Sequence, residues 1–234
     1  MSEDTEAIKE IAKATEEIAK TTGKAIDAGR ELGQFVAKFI KGPLEQGIGI
    51  VEDKLKYMRW ERQVRFMKRA DDFMHEIGLK APTRVVPMKF ALPLLQAASL
   101  EDDDDLQDRW AKLLINAADA ESGVDLKRAY IDILEQISPL EAQILDKIYS
   151  LPYEGTRHKG LLTKYLPERV DIVIDDPKLE HERPTPEVEL ALANIARLGC
   201  ISIGMSWGGG QLFSIVNPTL LGKSFVKACR LKGK

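Results

Sequence analysis

"SLEDDDDLQDRWAKLLINAAD", residues 99–119, places four consecutive aspartates, Asp102 to Asp105, directly ahead of an apolar pattern. Such a run can hold a metal ion, form a solvated tail or start a helix, and the choice decides how the middle of the chain folds. At about 100° per residue, four successive helical positions point all around the axis and cannot converge on one ion. Only Glu101 with Asp105, or Asp102 with Asp105, share a face. No histidine or further carboxylate at helical spacing completes an oxygen cage, and the EF-hand pattern is absent. Leu106, Trp110, Leu113, Leu114 and Ala117 make an apolar stripe instead. Ser99 is placed to cap the start, with Asp102 three residues on, and carboxylates in the first turn suit the positive end of the helix dipole. Asp105 with Arg109, and Asp108 with Lys112, stand at i,i+4. The aspartates therefore start a helix.

Upstream, residues 5–40 read as one long helix. Ile8, Ile11, Thr15, Ile18, Thr22, Ala25, Gly29, Leu32, Val36 and Phe39 alternate in steps of three and four, a heptad seam with small residues in its middle. It can associate with a second copy or pack on its own protein. "KGP" at 41–43 breaks it. A second long helix follows over roughly 44–78, ended by Gly78 and Pro82. Within it "KLKYMRWERQVRFMKR", 54–69, holds seven basic residues and one acid, Glu61. Lys54, Arg62, Arg65 and Arg69 fall on one stripe, and Trp60, Val64, Met67, Ala70 and Phe73 cover the other face. That stripe is a candidate for an anionic membrane surface, nucleic-acid phosphate or an acidic partner. The plainer reading is a solvated face paired with Glu61, Asp71 and Asp72. "PMKFALPLLQAASL" predicts a short helix that Pro93 kinks or ends.

Downstream, "DLKRAYIDILEQI" predicts a helix. Ser138, Pro139 and Glu141 then form a capping box for another over 139–150, with Leu140, Ile144 and Ile148 inward. Residues 151–185 mix prolines and charge around the short apolar pieces "GLLTKYL" and "VDIVI". Thr185 and Pro186 open a helix that Gly199 stops. "CISIGMS", a "WGGGQ" turn and "LFSIV" read as a β-hairpin. A last helix over 219–232 carries Leu220, Phe225 and Cys229. The order of helix, insertion, helix, hairpin and closing helix predicts a winged-helix-like module. The fold class is thus mainly α: an amphipathic arm over 1–43, a helical domain over 44–137 and a small α+β winged-helix-like module over 138–234.

At 234 residues, 44% hydrophobic and 30% charged, the chain has the composition of a globular protein. Its formal net charge of −3 gives no overall field toward nucleic acid or anionic lipid. Cys200 and Cys229 lack metal-ligand spacing and fit a reduced, cytoplasmic chain. No segment meets the length for a membrane span, which leaves attachment at the membrane periphery. His75, His158 and His181 have no zinc-site pairing, and no phosphate-loop pattern occurs. The "TRH" at 156–158 is too slight to mark a nuclease. No cofactor, metal or catalytic arrangement is legible.

Three stretches carry a family resemblance: "GPLEQGIGIVEDKLKYMRWERQVRFMKRA", "LEDDDDLQDRWAKLLINAAD" and "YIDILEQISPLEAQILDKI". They resemble the abortive-infection alpha family of bacterial proteins, above all in the acidic run leading into Leu106-Gln107, Trp110-Ala111, Leu113-Leu114 and Asn116-Ala117. The resemblance implies a role in defence against phage, set off by a phage or host trigger that it does not name. It implies no catalytic residues; Gln107 and Asn116 are the polar members of the pattern to test. The resulting expectation is an anti-phage protein that acts by interaction. The alternatives are a winged-helix nucleic-acid-binding regulator and a toxic nuclease.

Overall fold

The computed structural model describes residues 34–35, 37–39, 60–173 and 182–232. Most of the N-terminal seam and its expected self-association, Lys54 and the start of the second long helix lie outside the described residues. Within them, helix α1 spans Trp60–Glu76, α2 Met88–Leu100, α3 Asp104–Ala118, α4 Arg128–Leu134, α5 Pro139–Ile148 and the single turn α6 Tyr153–Thr156. The short strands β1 (Leu161–Leu162) and β2 (Asp171–Ile172) follow. Helix α7 (Pro186–Arg197), strands β3 (Ile201–Met205) and β4 (Gln211–Pro218) and helix α8 (Leu220–Ala228) complete the order. The fold is mainly α with one small antiparallel sheet, as the sequence predicts.

Local chemistry accounts for most of the boundaries. Ser138 and Glu141 form the capping box, with Pro139 in the first helical position of α5. Thr185 accepts from the Val188 N–H ahead of Pro186, and Gly199 ends α7 at φ 75°. One expectation is corrected and one narrowed. The cap of α3 is Asp103, whose side chain accepts from the Leu106 N–H, and not Ser99. Ser99 belongs to α2, where its hydroxyl donates to the Leu95 carbonyl at 2.6 Å. Pro93 lies inside α2 without ending it, because the helix continues to Leu100. Of the three residues named on the last helix, Phe225 and Cys229 are buried and Leu220 is exposed.

The buried side chains form one connected cluster. Trp110, Leu113, Leu114 and Ile115 of α3 are at its centre, each 1% exposed or less. Helix α1 contributes Phe66, Met67, Ala70 and Met74. Phe35 and Phe39 also pack here, with the Phe35 ring 6.1 Å from Phe66. Phe35 lies beside the heptad seam, so the contacts of this segment do not follow the seam alone.

The sheet order is β2-β1-β4-β3, antiparallel throughout. Val216 of β4 stands opposite both Leu161 and Ile203 and is fully buried. Strand β1 pairs with Ile215 and Val216, and Thr163 after it reaches Ser214 and Phe213, so the tip of the β3–β4 hairpin beyond Phe213 pairs with itself. Tyr149, at the end of α5, fastens the hairpin to α8. Its hydroxyl accepts from the Thr219 N–H at 2.9 Å and donates to the Cys200 carbonyl at 2.5 Å. Gly222 lies against this junction, where a Cβ would collide with the Tyr149 hydroxyl and the Cys200 carbonyl. That close approach explains the glycine of "TLLG".

Candidate functional site

The acidic run and the basic stripe meet. Helices α1 and α3 lie side by side and run in the same direction, because their contacts advance together along both. Arg62 donates to the Leu100 carbonyl at 2.5 Å and pairs with Asp102 at 3.1 Å. Arg65 pairs with Asp104 at 2.9 Å. Arg69 joins Asp104 at 2.7 Å and also bonds Asp108. Further along, the Lys112 ammonium stands 4.7 Å over the Phe73 ring. The ion-pair partners of Arg62, Arg65 and Arg69 are therefore aspartates about 40 residues away; Asp71 pairs with Lys38, and the Glu61 side chain lies outside the described ones. Arg62 and Arg69 are less than a quarter exposed, so they flank the apolar face of α1 rather than oppose it.

The two polar residues of the acidic motif are buried. Gln107 is 1% exposed, and its amide points to the carbonyls of Arg62 and Glu101 at 3.4 Å. Asn116 donates to the carbonyls of Ala228 and Arg230, both at 2.8 Å. These carbonyls belong to the end of α8, where the helix has no internal donors left for them. Asn116 thus caps the closing helix from the centre of the molecule. The neighbouring Arg84 reaches the carbonyls of Asn116, Ala117 and Val124, which holds the loop after α3.

A second ionic junction escapes the sequence pattern. Arg109 bonds both oxygens of Asp146, at 2.5 and 3.3 Å, and not Asp105. Arg230 meets the same carboxylate at 2.9 Å and donates to the backbone carbonyls of Asp146 and Tyr149. Burial alone would raise the Asp146 carboxyl, but bonds and charge from Arg109 and Arg230 outweigh it and hold the group below its ordinary value. The expected Asp108–Lys112 pair does form, at 3.6 Å. Burial pushes the thiols of Cys200 and Cys229 up to about 12, so neither is a ready nucleophile.

Two clefts flank this junction. One, of about 600 Å³, is lined by both signs of charge, including Asp105, Asp108, Arg109, Lys112 and Asp146. The other, of about 420 Å³, lies against α8, and its charged lining residues are all cations: Lys223, Lys227, Arg230 and Lys232. Lys223 pairs with Glu154 and stacks on Tyr153, and Lys227 and Lys232 donate to the Gly123 and Glu121 carbonyls. Among the described residues no group of three or more histidine, cysteine or acidic side chains is placed to hold a metal ion. Among them, too, no helix is long and apolar enough to cross a membrane.

Most of these residues fall within one family-wide stretch. The sequence model of the abortive infection alpha family matches residues 61–229, which include Arg62, Arg65 and Arg69, the acidic run, Arg109, Asp146 and the sheet, and end one residue before Arg230. No curated protein and no solved structure matches the chain. With well over half its length matched, the chain belongs to the abortive infection alpha family.

Proposed function

We propose that this protein defends a bacterial cell against phage by abortive infection, and that it acts in the cytoplasm through interaction rather than catalysis. The family match over residues 61–229 carries the reading. The fate of the conspicuous polar residues supports the interaction half. Arg62, Arg65, Arg69, Gln107 and Asn116 are all engaged with partners inside the molecule. A motif used in this way builds a scaffold. The N-terminal heptad seam is its proposed self-association element, and an infection-borne trigger its proposed switch.

A winged-helix-like organisation of the C-terminal module belongs to the same proposal. Helix α5, strand β1, helix α7 and the β3–β4 hairpin follow one another, and β1 pairs with β4, the second strand of the hairpin. That order supports a wing-bearing module, and with it the second reading, a nucleic-acid-binding regulator. The charges of α7 weigh against groove insertion: Glu187 and Glu189 occupy its first turn, and Arg183 is paired with Glu189 at 2.6 Å.

The test is phage challenge of cells with and without the protein, scoring survival, membrane potential and RNA integrity together. Protection of the population with death or arrest of infected cells is the expected result. Equal phage spread in both cultures overturns the defence reading. RNA cleavage by the purified chain overturns the non-catalytic one. Salt-dependent binding to duplex DNA favours the regulator.

A further inference from the structure

We infer that the β3–β4 hairpin is a lipid-contacting element, which seats Trp207, with Met205 and Leu212 beside it, in the interfacial layer of a phospholipid bilayer. Trp207 stands at the hairpin tip, fully exposed, and Met205 and Leu212 are 63% and 45% exposed. Single exposed apolar residues are ordinary, but here Met205 and Leu212 stand on opposite faces of the hairpin, opposite Gln211 and Gly204, so apolar side chains flank the Trp207 tip on both sides. The stretch from Leu198 to Gly222 carries no charged residue, whereas a chain 30% charged would place about seven in 25 positions. Water alone gives no reason to strip charge from an exposed hairpin. An apolar medium does, because every charge brought into it costs desolvation.

The backbone of the tip meets part of the same demand, through three bonds that the turn makes with itself. Apolar surroundings accept a turn only when its polar groups are bonded internally. The Ser206 N–H donates to the Gly210 carbonyl at 2.8 Å, and the Gly209 N–H to the Ser206 carbonyl at 2.9 Å. The Gly210 N–H donates to Ser206 Oγ at 3.0 Å, and Met205 pairs with Gln211 below. Behind the tip, Thr163 continues β1 along β4 by donating to the Ser214 and Phe213 carbonyls. The next residues carry an aromatic ring with cations over it: Tyr165, under Lys164 at 5.0 Å and Arg169 at 4.2 Å. Tryptophan at the headgroup level with tyrosine and long cations near it is the composition of a membrane interface. Lys164 and Arg169 are paired with Glu182 and Asp171, so the belt is close to neutral. The contact therefore depends on apolar insertion and not on anionic headgroups, which separates it from a charge-led attachment at the α1 stripe.

The test mixes the full chain with vesicles of phosphatidylcholine alone. The parent is expected to float with the vesicles and to lose part of its tryptophan emission to brominated phosphatidylcholine, with little change in salt. Trp207→Ser is expected to lower the bound fraction at least about fivefold and to remove that quenching. Its melting should match the parent, because the side chain touches no core residue; Trp207→Phe should keep most of the binding. Failure of the parent to float overturns the inference. So does undiminished binding by Trp207→Ser, or binding confined to anionic vesicles and lost in about 0.5 M salt. Dimerisation that depends on Trp207 without flotation assigns the tip to a second copy and overturns it equally.

Discussion

The α1–α3 seam and the β3–β4 hairpin use their residues in opposite ways. The seam is dense in charge, with Arg62, Arg65 and Arg69 facing Asp102, Asp104 and Asp108, and the two sides pair with each other. The hairpin has no charge at all and leaves its largest side chain in solvent. A sequence pattern catches the eye through charge, yet here the charge serves the fold. The surface with no structural explanation lies in a stretch that reads as a plain glycine turn. Complementary runs of opposite sign, 40 residues apart, are better read first as partners for each other than as two separate binding sites.

Two tryptophans give the widest separation between these regions. Trp110→Ala removes a side chain 1% exposed at the centre of the core, so it should cost about 3–5 kcal/mol in a denaturant melt. Trp207→Ala should stay within about 0.5 kcal/mol of the parent. Similar losses for both would mean that the hairpin packs on something, and the comparison would fail.

Reversing the seam comes next. Changing Arg62, Arg65 and Arg69 together to Glu replaces each attraction with repulsion against Asp102, Asp104 and Asp108, and should unfold the protein or lower its melting temperature sharply. A variant that melts normally would show that the arginines face outward and are free for an anion.

The Arg109–Asp146–Arg230 junction offers a graded and pH-dependent case. Asp146→Asn should cost about 2 kcal/mol at neutral pH, below the 3–5 typical of a fully buried pair, since the Asp146 side chain keeps 39% exposure. Because the folded carboxyl is held below its unfolded value, its contribution is complete above about pH 4 and fades as the pH falls through the folded value. Urea melts of parent and variant should therefore differ at pH 7, and the gap should narrow as the pH falls below about 4. A constant gap would remove the ionic explanation.

Asp103→Ala should lose an N-cap worth about 1 kcal/mol, and Ser99→Ala should leave the start of α3 intact. At the small end, Cys200 and Cys229 should resist a thiol reagent at pH 8 in the native protein and react on unfolding, because both are buried with thiols pushed to about 12.

What could be read from the sequence followed the range of the interaction. Ser138 with Glu141, and Thr185 with Pro186, announce helix starts because a cap is complete within four residues. The start of α3 reads from Ser99 in the sequence, but that residue is used within α2, which runs to Leu100, and Asp103 takes the cap instead. Arg109 has an aspartate four residues earlier, yet it takes Asp146 from another helix, a choice that only packing makes. Asn116 is visible in the motif, but its partners at Ala228 and Arg230 lie more than 110 positions away. The expected helix from Asp125 to Ile137 shrinks to Arg128–Leu134, because no side chain caps its start and the chain must turn before Ser138. Trp207 has no local signal beyond its glycines; its exposure emerges only when the contacts from β1 and Thr163 are seen to end at Phe213, short of the tip.

The central claim is that the hairpin, and not the charged seam, is the face this protein offers to other matter. Phage plating on cells that carry Trp207→Ser tests it most directly, with the purified variant melting as the parent does. The account predicts that protection falls to the level of cells lacking the protein. Full protection by that variant would contradict it.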